Sequence, residues 1–114
     1  MEPAIKRAWI KALRSGKYKQ GRDSLRNLDN TYCCLGVLCD LYARRRTTPP
    51  RHRWKSVGSQ YAIAAVVGVL PVCVQQWAGL STTDPELQGR MASEWNDQKH
   101  AGFKRIATLI EKHL

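Results

Sequence analysis

The sequence predicts a mainly α protein, a compact helical domain of about four helices with a small β-hairpin. Apolar residues recur at helical spacing in several segments. Proline and glycine stand where such segments begin and end, and one central segment is apolar enough for a buried helix. An α+β fold is the alternative, because the middle of the chain also contains a candidate pair of strands.

The first predicted helix covers residues 3–15. Ile5, Trp9 and Leu13 recur on one side of it, and Gly16 suits its carboxyl cap. Lysine and arginine occupy the rest of its surface.

The next segment, residues 16–30, has two glycines and clustered polar side chains, which predict a loop or short irregular structure. A second helix is expected to begin near Asn30 or Thr31, either of which can cap a helix. It runs to about Ala43 and is apolar on most sides, so we expect a buried central helix.

Residues 44–55 form the most basic stretch, and the two adjacent prolines forbid a helix there. A hairpin with a two-residue turn at Gly58 and Ser59 is predicted next, although the alanine-rich part after it also suits a helix. A third helix is expected over residues 71–78. The last helix covers residues 103–114, after a short ordered piece of uncertain type at residues 91–95.

The chain has 114 residues, a usual size for one domain, so residues 1–114 are assigned to a single domain. Its hydrophobic content of 43% is ordinary for a globular protein. We see neither an amino-terminal secretion signal nor a run of about 18 apolar residues, so no membrane partner is expected.

Charge is the strongest signal in the composition. Residues 1–55 hold fourteen basic and four acidic side chains, whereas residues 56–114 hold five of each. An excess confined to one half predicts a basic face for an anionic partner: nucleic acid, a nucleotide, or an acidic protein. A merely solvated surface is the simpler interpretation of such charges.

Trp54 stands among basic residues, an arrangement suited to stacking on a base while cations hold phosphate. It could equally tether the basic loop to the body of the protein. The predicted ligand-binding residues are Lys6, Arg7, Lys11, Arg14, Lys17, Lys19, Arg22, Arg44, Arg45, Arg46, Arg51, Arg53, Trp54 and Lys55.

Three of the four cysteines lie within seven residues, at Cys33, Cys34 and Cys39. Their spacing does not suit a tetrahedral zinc site, and disulfides are not expected either. Cys34 and the distant Cys73 are expected to be small apolar core residues. No cofactor is expected. The catalytic alternative is a cysteine-dependent hydrolase or transferase, in which Cys33 or Cys34 is the nucleophile at a helix amino terminus and His100 the base.

Four stretches, residues 9–21, 25–42, 70–80 and 96–111, resemble a group of small proteins encoded by bacteriophages and prophages. The second contains the sequence YCCLGVLCD, which marks the group. The resemblance implies an accessory protein acting in the host bacterial cytoplasm. The resemblance further implies a protein that modifies host functions or blocks a defence system, acting by binding without chemistry, with an anti-CRISPR role as one candidate. In the group, the step before the last helix lacks a histidine, so His100 is a departure that weakens the catalytic alternative.

Overall fold

The computed structural model describes every residue from Met1 to Leu114. The fold consists of five α-helices and seven short strands. The helices are α1 (Pro3–Arg14), α2 (Cys34–Ala43), α3 (Val72–Ala78), α4 (Ala92–Asp97) and α5 (Phe103–His113). The strands are β1 (Lys19–Gln20), β2 (Arg26–Asn27), β3 (Thr31–Tyr32), β4 (Lys55–Val57), β5 (Gln60–Ala62), β6 (Glu86–Leu87) and β7 (Arg90–Met91).

Helix α2 is the centre of the core. Leu35, Val37 and Leu38 are completely buried, and the hydrophobic core around them includes side chains from all five helices. The Cys33 sulfur accepts a hydrogen bond from the backbone N–H of Gly36 at 3.4 Å, and so caps the amino terminus of α2. The prediction of a buried central helix is therefore confirmed.

Helices α1 and α5 pack against one another and cover one side of the core. Each is amphipathic, and the buried residues include Trp9 on α1 and Ile106 on α5. The Trp9 indole Nε1 donates a hydrogen bond to the backbone oxygen of Cys34 at 2.9 Å, which fixes α1 to the start of α2.

The main sheet has five strands in the order β1-β3-β2-β5-β4. Strand β1 is parallel to β3, and the other pairs are antiparallel. Arg26 lies opposite both Tyr32 and Tyr61 in the register. Directly paired residues share one face of a sheet, so these three side chains are brought together.

The predicted hairpin is confirmed, because β4 and β5 pair on either side of the turn at Gly58 and Ser59. The alanine-rich segment after it is not helical. Ala64 and Ala65 have positive φ angles of 50° and 66° and form a turn, closed by a bridge between Ile63 and Val66.

The prediction of a mainly α fold is wrong: the protein is α+β, with five helices, a mixed five-stranded sheet and a separate β6–β7 pair. Three strands lie within residues 16–32, the region expected to be irregular or the start of a helix. Each is only two residues long, too short for the alternation that identifies a strand. The uncertain piece at residues 91–95 is the end of β7 followed by α4.

The basic loop between α2 and β4 is anchored by hydrogen bonds. Thr48 Oγ1 donates to the backbone oxygen of Tyr42 at 2.6 Å, and the Tyr42 hydroxyl pairs with His52 Nδ1 at 2.8 Å. Arg53 donates twice to the backbone oxygen of Thr48, at 3.1 and 3.3 Å. A single turn of 3-10 helix, Pro50–His52, lies in its middle.

A helix that spans a bilayer needs about 20 apolar residues, and none of the five helices has the length and apolarity for that role.

Candidate anion-binding site

A buried carboxylate organises the candidate site. Asp40, on α2, is 3% exposed and accepts three hydrogen bonds. The donors are the Tyr18 hydroxyl at 2.6 Å, the Arg44 Nε at 2.7 Å and the Trp54 Nε1 at 3.0 Å. Tyr18 comes from the link after α1 and Trp54 from the segment before β4. A single side chain therefore holds two distant segments against the carboxyl end of α2.

Tyr18 acts in this cluster as a neutral donor. Burial, and then its hydrogen bond to the Asp40 carboxylate, raise the pKa of the Tyr18 hydroxyl well above its usual value of 10.0. The proton therefore stays on Tyr18 at neutral pH, and Arg44 provides the positive charge that pairs with Asp40.

The ion pair with Asp40 engages only part of the Arg44 guanidinium. Its Nε contacts Asp40, but its side chain is 74% exposed, so much of the guanidinium faces solvent. The Asp40 side chain is sealed from solvent at 4% exposure. An approaching anion thus meets the cation and not the carboxylate behind it.

A concavity of about 410 Å³ opens beside this cluster. A volume of this size lies in the range of small-molecule sites. Its walls combine cations, phenol rings and one amide, contributed by Lys17, Tyr18, Arg26, Asn30, Tyr32 and Arg44. We call this concavity the basic pocket.

Arg26 is held in the basic pocket without an acidic partner. Its guanidinium carbon lies 4.0 Å from the centre of the Tyr61 ring, and 5.5 and 5.6 Å from the rings of Tyr32 and Trp54. Its Nε and Nη2 donate to Asn30 Oδ1 at 3.1 and 2.6 Å. The molecule's ion pairs are Arg14–Glu111, Arg44–Asp40 and Arg90–Glu94. Arg26 is therefore preorganised by neutral groups, and its charge remains available to a ligand.

An aromatic chain lies behind the basic pocket. Tyr18 and Tyr32 meet edge to face, with ring centres 5.0 Å apart at 89°. Tyr32 then contacts Trp54 at 6.4 Å, and Trp54 contacts Tyr61 at 6.5 Å. The pocket is thus lined by three cations and by two phenol rings, of which Tyr18 is half-buried and Tyr32 buried. This combination suits a ligand with an anionic and a flat part.

The structure brings only some of the predicted binding residues together. Lys17 and Arg44 line the basic pocket. Lys11 lines a concavity that borders it, and Arg7 and Arg14 line a further concavity along α1. Lys19 is exposed on β1. Lys6 Nζ donates to the backbone oxygen of Glu111 at 3.2 Å.

Other predicted binding residues lie elsewhere. Arg22 lines a separate polar concavity that also contains two aspartates. Arg45 lies over the rings of Tyr42 and Trp77, and Arg53 anchors the basic loop. Arg46, Arg51 and Lys55 are exposed and make no side-chain hydrogen bond or ion pair. Trp54 is half-buried against the core and bonded to Asp40, which makes it a tether for its loop.

Sequence reasoning missed five residues of the site: Tyr18, Arg26, Asn30, Tyr32 and Asp40. Arg26 is one basic residue among several in the segment after α1, and its place beside the pocket depends on the pairing of β2 with β3 and β5. Asp40 is the only charged residue inside the apolar segment of α2, and that isolation is the signal from which its role could have been found.

The catalytic alternative finds little support in the geometry. Cys33 and Cys34 are buried, and burial raises the pKa of the Cys33 thiol to about 12 and that of Cys34 well above its usual value. His100 is exposed on a turn with a φ of 52° and makes no hydrogen bond to either cysteine. The neighbouring Asp97 carboxylate accepts from the Asp23 backbone N–H and from Asn96.

All four cysteines are free thiols. No three side chains among His, Cys, Asp and Glu lie close enough together to hold a metal ion.

Comparison with known proteins gives one match. A family model described as "Domain of unknown function (DUF8296)" matches residues 1–114. No curated protein and no solved structure matches the chain.

Proposed function

The chain belongs to the DUF8296 family, a domain of unknown function, and we propose its function from the geometry of the basic pocket. The protein binds a nucleotide-type ligand in this pocket, without transforming it. The observation that carries this proposal is the convergence of Lys17, Arg26 and Arg44 on a concavity walled by Tyr18 and Tyr32. Cations bind phosphate, and phenol rings bind a base.

Electrostatics supports the same ligand class. The one carboxylate in contact with this group, Asp40, is sealed behind three donors. The pocket lies within the half of the chain that carries the whole excess of positive charge. A small anion is therefore attracted from a distance and meets preorganised donors on arrival.

The biological setting belongs to the same proposal. The sequence resemblance to phage-encoded proteins favours an accessory protein in the host bacterial cytoplasm that sequesters a nucleotide signal of a defence system. An acidic face of a host protein, or nucleic acid, would use the same cations.

A binding titration with adenosine 5′-monophosphate as the probe tests the proposal. We expect adenosine monophosphate to bind more tightly than either inorganic phosphate or adenosine alone, because only the nucleotide uses both cations and rings. It should also raise the melting temperature, since a ligand that binds only the folded state stabilises it.

The matched variants are Lys17→Gln, in the pocket, and Lys99→Gln, on an exposed turn outside it. Both remove one exposed charge. Lys17→Gln should weaken nucleotide binding by about tenfold, or about 1.4 kcal/mol, and Lys99→Gln should leave it unchanged. Equal effects of the two variants, or no binding of the nucleotide at millimolar concentration, would overturn the proposal.

A further inference from the structure

Two further concavities follow the basic pocket along α1. A second concavity, of about 350 Å³, shares Lys17, Tyr18 and Arg44 with it. A third, of about 460 Å³, lies along α1 and shares Lys11 and Ser15 with the second. The shared residues mark where neighbouring concavities border one another: Lys11 and Ser15 stand between the second and the third. We call this row of three concavities the groove.

The cations along this groove are spaced by the helix. Arg7, Lys11 and Arg14 follow one another at intervals of four and three residues, which places them on one face of α1. Lys17 comes after the end of the helix and leads from this face to the pocket. A row of cations thus leads towards the aromatic wall.

Four of these cations are free. Arg7, Lys11, Lys17 and Arg26 make no ion pair, whereas Arg14 is paired with Glu111 at 3.4 Å and Arg44 with Asp40. Glu111, the acidic residue that lines the groove, also accepts from Lys6 through its backbone oxygen.

From this arrangement we propose that the groove binds a single-stranded oligonucleotide, with one base at the aromatic wall of the basic pocket and successive phosphates along α1. The inference rests on the proposed nucleotide binding and extends it. A row of free cations ending at aromatic rings is the arrangement by which proteins hold single strands without reading their sequence. The cations line three separate small concavities, whose course a flexible single strand follows more easily than a stiff duplex.

The four free cations set the expected salt dependence. A single strand releases about 0.7 counterion for each phosphate neutralised, so four contacts predict a slope of about −3 in a plot of log K against log salt. Replacing one contact should reduce that slope by about 0.7.

Fluorescence anisotropy with a labelled oligothymidylate of about 12 nucleotides, within the range of single-strand sites, is the test. The variants Arg7→Gln and Lys11→Gln change exposed residues that the groove adds to the pocket. We expect each to weaken oligothymidylate binding severalfold and to lower the slope, while the affinity for adenosine monophosphate stays unchanged. Lys104→Gln, an exposed charge on α5 that lines none of these concavities, is the control and should alter neither measurement.

The outcomes separate this inference from the proposed function. If adenosine monophosphate binds and the oligothymidylate binds no more tightly, the groove inference is wrong and the pocket remains a nucleotide site. If neither binds, both fail. A duplex of the same length that binds as tightly as the single strand, or variants with the slope of the control, would also overturn the single-strand inference.

Discussion

The buried thiols set the stability of the protein at alkaline pH. Burial raises the pKa of Cys33 from 9.0 to about 12, and it raises those of Cys34 and Cys39 well above the usual value. Above about pH 9, the unfolded chain loses these protons while the folded chain keeps them. Stability is therefore complete below that pH, and it falls as the pH rises towards 12, by about 1.4 kcal/mol per pH unit for each thiol.

Urea unfolding at several pH values from about 8 to 10 measures this slope. Cys39→Ala should lower the free energy of unfolding at every pH because it leaves a cavity. It should also make that free energy fall less steeply with pH, because one of the three buried thiols is gone. In the folded protein, iodoacetamide should modify Cys73, which is only half-buried, before the other three. A stability that stays constant over this range, or a Cys33 that reacts first, would contradict the burial argument and revive the catalytic alternative.

For single residues, the sequence predicts which basic side chains are exposed more readily than it predicts what they contact. Lys17 and Arg44 could be selected because exposed basic residues stand out in the composition. Arg26 could not, because its position over the ring of Tyr61 depends on the register of β2 with β5. Trp54 illustrates the reverse: its basic neighbours suggested a stacking platform, but the side chain is turned inward to Asp40.

Among the elements, α2 depends on one close backbone approach. A Cβ added at Gly36 would lie 1.7 Å from the backbone oxygen of Leu25, which also accepts the Cys33 N–H at 3.3 Å. Gly36→Ala must therefore push α2 away from the segment before β2. We expect a loss of more than about 4 kcal/mol, a large share of the roughly 5–15 kcal/mol by which an ordinary domain is stable.

Gly68→Ala is the matched control, because a Cβ there meets no atom within 4 Å and the φ angle is not positive. It should change the free energy of unfolding by no more than about 1 kcal/mol. Urea denaturation followed by circular dichroism compares the two. A Gly36→Ala protein that unfolds at the same urea concentration as the Gly68→Ala protein would show that α2 does not need this approach.

The helices could be predicted from the sequence and the sheet could not. Helices α1, α3 and α5 begin and end within one residue of the predicted bounds, because their apolar spacing and flanking Pro and Gly are local signals. Helix α2 begins at Cys34 rather than near Asn30, since Thr31 and Tyr32 pair with β1 and β2 instead. Pairing between strands of two residues is a tertiary event and leaves no periodic trace in the sequence.

Over the whole molecule, the unequal distribution of charge opposes folding as well as attracting ligands. The chain carries 19 basic and 9 acidic side chains, and only three ion pairs offset the repulsion. The excess lies entirely within residues 1–55. A surface evolved for stability alone would intersperse the two signs, so a concentration of this kind favours a binding role.

Salt should therefore stabilise the protein. Raising the concentration of sodium chloride from about 10 to about 100 mM shortens the Debye length to about 10 Å and screens the repulsion. We expect a gain of about 1 kcal/mol, which for a domain of this size raises the melting temperature by roughly 4 °C. Calorimetry at fixed pH measures it.

Two sets of charge-removing variants locate the effect. Arg46, Arg51 and Lys55 are exposed in the basic half and lie outside the groove, so replacing all three with Gln should raise the melting temperature at low salt and reduce its dependence on salt. Replacing Lys99, Lys104 and Lys112 with Gln removes the same charge from the neutral half. This variant should show a smaller rise in melting temperature and a smaller loss of salt dependence. Equal responses of the two variants would mean that the repulsion is spread over the whole surface. The first variant should also bind the nucleotide as tightly as the unchanged protein does. That result would show that Arg46, Arg51 and Lys55 do not contribute to binding in the basic pocket.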